Sequence, residues 1–143
     1  MSDLSIAQSI FVRDSPAFVV VKDGQELGRG HAPGIRELLS ALFTLGDTAR
    51  GASLADRVTG KAVAMAAAHA GLVAIYTPLA SERALPVCQA YGIELQAMQV
   101  IALILNVRGD GPCPLERTVG PIDEPAAGVR ALAEFVRLPL PNL

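Results

Sequence analysis

A chain of 143 residues, 51% hydrophobic and 18% charged, suits one domain with one core and is far from a disordered composition. A net charge of −2 leaves no basic face for phosphate backbones, which argues against general nucleic-acid binding. Two cysteines, Cys88 and Cys113, are too few for the disulfide framework of a small secreted domain, and the mixed start around Asp3 does not read as a signal segment, so a cytoplasmic location is expected.

Residues 1–16 read as a helix or an arm, because Leu4, Ala7, Ile10 and Phe11 have helical spacing and Pro16 ends the segment. Ala17–Val21 is β-branched and predicts a strand. The Asp23-Gly24 pair predicts a hairpin turn, with Glu26–Arg29 returning. After the loop Gly30–Gly34, the spacing of Ile35, Leu38, Leu39, Leu42 and Phe43 predicts an amphipathic helix ended by Gly46.

Ala52–Ala55 reads as a short strand, and Asp56–Ala70 as a long Ala-rich helix buried on most sides. Residues 62–81 hold no Asp, Glu, Lys or Arg, close to the roughly 20 apolar residues a membrane span needs. Gly71 and Pro78 break that run, so it predicts a buried helix followed by the strand Leu72–Tyr76, and no membrane contact. Ser81–Tyr91 reads as a helix ended by Gly92, with Pro86 awkward inside it. Ile93–Leu95 and Ala102–Leu105 read as strands, and Arg108–Pro114 as a loop. Asp123 is the expected cap of a last helix with Pro125 in its first turn, running to about Val136. A hairpin followed by alternating strands and helices predicts an α/β fold whose mixed sheet is covered on both faces.

Common site motifs fail. Gly60-Lys61 lacks the earlier glycine and following Ser or Thr of a P-loop, and Gly28, Gly30 and Gly34 miss dinucleotide spacing. His31, His69, Cys88 and Cys113 form no close pair, so no metal is expected. No Gly-x-Ser-x-Gly elbow marks a serine nucleophile. His69 reads as a core residue and His31 as a turn residue.

Two segments stand out. Ala55-Asp56-Arg57-Val58-Thr59-Gly60-Lys61-Ala62 is one; Ile104-Leu105-Asn106, followed by Cys113-Pro114-Leu115-Glu116, is the other. In this order they resemble the signature of a prokaryotic family of unknown function assigned to the cytidine-deaminase-like fold. Gly34-Ile35 with Leu38-Leu39, and Ala80-Ser81 with a helix to Gly92-Ile93, add weaker likeness; the resemblance covers roughly residues 17–135. The family usually carries Arg directly after the Asn, where this chain has Val107 and then Arg108. An arginine contact to a ligand would be shifted or lost.

The resemblance implies one three-layer α/β/α domain over residues 1–143, with a mixed sheet of about five strands. In zinc deaminases a His or Cys and a Glu open one helix and two cysteines open the next. The corresponding starts here carry Asp56, Thr59, Gly60 and Lys61, then Ser81, Glu82 and Arg83. None supplies a thiolate or imidazole, so no cofactor and no zinc-dependent deamination are expected.

The remaining candidates for chemistry are Lys61, Cys113 and Glu116, with Asp56, Gly60, Ser81, Asn106 and Arg108 as ligand contacts. Lys61 near a helix start suits an anion or pairs with Asp56. Asp56 reads as a helix cap or an acid. Gly60 inside a helix needs close packing or ligand approach to offset its cost of roughly 1 kcal/mol. Cys113 between two prolines is either a positioned thiol or a small anchor for its loop. Glu116 could be a general base or a cap. Cys88 reads as core. Two functions follow: binding of a small anionic or nucleotide-like molecule near Lys61 and Cys113, with or without catalysis, or a non-catalytic homodimeric interaction or regulatory domain.

Overall fold

A computed structural model describes residues 1–141. The segment at 1–16 is a helix, α1 (Asp3–Asp14), whose N-cap Ser2 accepts the Ser5 N–H. The hairpin follows as β1 (Phe18–Lys22) and β2 (Gln25–Gly30). Asp23 and Gly24 have φ of 51° and 76°, the left-handed pair that matches the twist of the two strands. Their amides donate to the Asp3 carboxylate at 3.0 and 2.9 Å, tying the hairpin turn to the start of α1.

Two short strands, β3 (Ser53–Asp56) and β4 (Val58–Thr59), run as one line interrupted at Arg57. Both lie parallel to the same neighbour, β5 (Ala74–Ser81). β6 (Glu94–Ile101) adds to the other side of β5, also parallel. β1 is antiparallel to both β2 and β3. The sheet is therefore mixed, with five lateral positions in the order β2, β1, β3 with β4, β5 and β6.

α1 covers one face. Its Leu4, Ala7, Ile10 and Phe11 pack on Val19, Val21, Ala55, Ala74 and Tyr76. The other face carries α2 (Arg36–Leu45), α3 (Lys61–Ala70), α4 (Ala84–Ala90), α5 (Pro114–Val119) and α6 (Pro125–Phe135). Phe18, Leu38, Leu39, Leu54, Met65, Ile75 and Leu132 fill that core. The alanines of α3 let its neighbours come close. A Cβ on Gly128 of α6 would collide with the Met65 sulfur.

Several boundaries differ from the expectations. α3 starts at Lys61, because Val58 and Thr59 pair with Leu79 and Ala80 instead of coiling; Asp56 ends a strand and is no helix cap. β5 runs on to Ser81, so α4 starts at Ala84 and Pro86 falls in its first turn, where its missing N–H costs little. β6 continues to Ile101, while residues 102–105 form only a single bridge, Leu105 to Pro112. Glu124, not Asp123, caps α6 by accepting the Ala126 and Ala127 amides at 3.1 and 3.0 Å. His69 is exposed at the end of α3. No helix of the described residues is long and apolar enough to cross a membrane.

Candidate functional site

The two segments singled out in the sequence meet beyond the carboxyl end of β3. From one side comes Asp56, then the break at Arg57, then Gly60 as the N-cap of α3, which has no side chain to offer the helix. From the other comes the stretch 104–116. Leu105 bridges Pro112, and the Cys113 amide donates to the Ile104 carbonyl at 2.9 Å, folding this stretch on itself. That places Cys113 at the cap of α5 and Glu116 in its first turn.

Glu116 supplies what Gly60 lacks. Its Oε2 accepts the Lys61 N–H at 3.2 Å, so a carboxylate from α5 caps the start of α3. Its side chain lies directly against Gly60, where a Cβ would collide with Oε1 and with Ile104 Cδ1. The glycine is there to admit a carboxylate to the helix end. Glu116 is 2% exposed. Burial raises its pKa, while the Lys61 and Ala62 amides and the charges of Arg83 and Lys61 pull it back.

Asp56 is also buried, at 9% exposure. The Thr59 hydroxyl donates to its Oδ2 over a long 3.4 Å. Burial lifts its pKa to about 7, against weaker opposition from Thr59, the Arg57 amide and the Arg57 charge. A carboxyl poised near neutrality can take up or release a proton under physiological conditions.

Asp56, Gly60, Cys113 and Glu116 line one cavity of about 530 Å³. Its walls are largely apolar, with Ile35 from the cap of α2, Leu38 from α2, Val63 from α3, and Ile104 and Leu115 opposite. Arg57 reaches its edge, but Nη2 is turned to the Ser15 and Pro16 carbonyls at 3.1 and 3.3 Å.

Lys61 belongs elsewhere. Its amide faces Glu116, but its Nζ donates to the Gly120 carbonyl at 3.0 Å at the far end of α5. It lines a separate, more open groove of about 470 Å³ with Arg83, Tyr91 and Asp123. No ion pair joins Lys61 and Asp56 among the described residues, whose pairings are all at other positions. Lys61 and Cys113 thus line different cavities.

Three other candidates line neither. The Ser81 hydroxyl oxygen accepts the Arg83 amide at 3.0 Å ahead of α4. Asn106 closes its own loop, accepting the Gly109 and Asp110 amides and donating to the Asp110 carboxylate at 2.9 Å. Arg108 is exposed beside Asp110. Cys88 is buried within α4, where burial pushes its thiol up to about 11. Sequence reasoning missed Thr59 as the partner of Asp56, and Arg57 as the cation at the cavity edge. Both lie inside the motif already marked, so the signal was present without a role attached.

A sheet of this order between helical layers, with a cavity beyond the carboxyl ends of the strands, defines a protein of the cytidine-deaminase-like fold. The chain belongs to the DUF1893 family, a domain family of unknown function whose model matches residues 6–136. It is similar to the crystal structure of a DUF1893 family protein from Thermotoga maritima, with 23% identity and a TM-score of 0.83, over 94% of this chain and 91% of that one. It is also similar to a diaminohydroxyphosphoribosylaminopyrimidine deaminase/5-amino-6-(5-phosphoribosylamino)uracil reductase from the same organism, with 14% identity and a TM-score of 0.54. That match covers 67% of this chain and 37% of the other, so this chain spans little more than a third of its length. At these identities the structural likeness speaks for the fold. No functionally curated protein matches the sequence.

Zinc deaminases hold their metal with His and Cys side chains at two helix starts, and neither corresponding start here carries one. The start of α3 holds Gly60 and Lys61, and the start of α4 follows Ser81, Glu82 and Arg83. Among the described residues no three His, Cys, Asp or Glu side chains gather in a metal-holding arrangement. The carboxylate nearest the α3 start, Glu116, already serves backbone amides.

Proposed function

We propose that this protein binds a small organic molecule in the cavity between α2, the Asp56–Gly60 turn and the stretch 104–116, on a deaminase-like scaffold that uses no zinc. One observation carries the reading. An apolar cavity of about 530 Å³ lies beyond the strand ends of an α/β sheet, with two buried carboxyls in its lining. The volume falls in the range of small-molecule sites. A nucleotide-like ligand is the class the fold likeness favours, as analogy only. An anionic ligand held between Lys61 and Cys113 is less well supported, because Lys61 opens on the other groove. Of the two buried carboxyls, Asp56, expected only as a ligand contact, is the freer to move a proton, whereas Glu116, expected as a catalytic group, is held as a cap.

The test is a thermal-shift screen of small heterocycles and organic ions on the full chain. Stabilising compounds are then retested after Cys113 is capped with N-ethylmaleimide, which fills the cavity from its lining. Ligands of the cavity lose their effect on capping. A screen without stabilising compounds, or hits indifferent to capping, would sink the reading.

A second reading, a homodimeric interaction domain, rests on β6. Among the described residues this edge strand pairs only with β5, and its Met98 is 70% exposed with Val100 and Gln96 also uncovered. Light scattering decides it: a dimer dissociated by Met98→Lys supports it, and a monomer at high concentration removes it.

A further inference from the structure

The cavity's polar groups are unevenly engaged. Glu116 is committed to the start of α3 through the Lys61 amide. The Arg57 side chain is drawn to the Ser15 and Pro16 carbonyls. No lysine lines the cavity. Asp56, nine-tenths buried, accepts one long bond from Thr59, and beyond that only the adjacent Arg57 amide reaches it. A carboxylate offers about four lone-pair positions, so this one has acceptor capacity to spare.

An anion in this cavity would meet two carboxyls, and the one cation at its edge, Arg57, turns Nη2 away to the Ser15 and Pro16 carbonyls. An apolar body carrying paired N–H donors would meet apolar walls and an under-used acceptor, and two parallel N–H bonds to one carboxylate are the strong, directional case. We infer that the ligand of this cavity carries a planar amidine or guanidine group, and that Asp56 receives it. This deepens the reading of the cavity as a ligand site and rests on it.

Binding of such a group is coupled to a proton. Burial holds Asp56 largely protonated below about pH 7. An amidinium favours the carboxylate, so binding expels the proton. The other charged or titratable groups lining the cavity are Arg57 from the β3–β4 link, Cys113 at the cap of α5 and Glu116 in its first turn; α2 and its cap contribute only Leu38 and Ile35.

The probe is benzamidine, with neutral benzamide of nearly the same shape as its control. Both are titrated into the isotope-labelled full chain and followed by amide chemical shifts. Benzamidine is expected to perturb residues 56–63 and 104–116 and to bind about tenfold more tightly at pH 8 than at pH 6, as Asp56 ionises. Asp56→Asn should weaken benzamidine about tenfold or more and leave benzamide unchanged. The pH comparison uses the unaltered protein, so it decides the matter even if that variant does not fold. If benzamide matches benzamidine at the cavity, or benzamidine binds equally at both pH values, the inference fails and the cavity reading stands. If neither probe perturbs the cavity residues, both fail.

Discussion

The Glu116 carboxylate accepts the backbone N–H of Lys61 at 3.2 Å, joining two residues 55 positions apart at the start of α3. Here a side chain borrowed from α5 does the work of an N-cap, so the 104–116 stretch and α3 are fastened together at the cavity. Glu116→Ala leaves buried amides without an acceptor, at a cost of about 1–3 kcal/mol. Thermal unfolding should show a fall in Tm on the order of 5 °C. An unchanged Tm would mean that the contact contributes nothing.

Gly60 answers to the same carboxylate. Gly60→Ala drives a methyl into the side-chain ends Glu116 Oε1 and Ile104 Cδ1 and should cost about 1–2 kcal/mol, chiefly by dislodging the cap. Combined with Glu116→Ala, much of that penalty should vanish, because the colliding group is gone. A double-mutant cycle by urea unfolding measures this, and strict additivity would show that the glycine is needed for some other reason.

Asp56 should make stability depend on pH. Its pKa rises from 3.8 in the unfolded chain to about 7 in the fold, so the native state binds this proton more tightly. The stabilisation is full below about pH 4 and is lost as pH rises through 7. Between those values stability should decline by up to about 1.4 kcal/mol per pH unit, at most about 4 kcal/mol in all. Glu116 is shifted in the same direction and adds its own slope. The informative quantity is therefore the stability of wild type relative to Asp56→Asn in urea unfolding, which should fall steadily from pH 4 to pH 7.

Lys61→Ala removes the bond from Nζ to the Gly120 carbonyl, worth about 1 kcal/mol. Calorimetry should show that small loss of stability with ligand binding in the Asp56 cavity intact. Loss of binding would restore Lys61 to the site.

Local signals made the hairpin legible: Asp23-Gly24 needs no distant partner to turn. The periodicity of α2 and the two family-like segments were equally readable, and with them the scaffold. What sequence could not show depends on long-range pairing. Val58 and Thr59 look helical beside the Ala-rich run and become strand only because β5 lies alongside. Lys61 marked the right turn, yet only its amide faces the cavity segment; the side chain is drawn off by a carbonyl of α5, a helix with no periodic signal in its six residues. Asp56 was visible as a residue, but its raised pKa comes from burial by elements remote in sequence.

The most direct measurement of the cavity's role is an amide-shift map of the isotope-labelled protein against a small-fragment library. Binding in the proposed site predicts shifts concentrated on residues 56–63 and 104–116, with Ile35 and Leu38 beside them. Shifts confined to the groove of Lys61, Arg83 and Tyr91, or to β6, would contradict it.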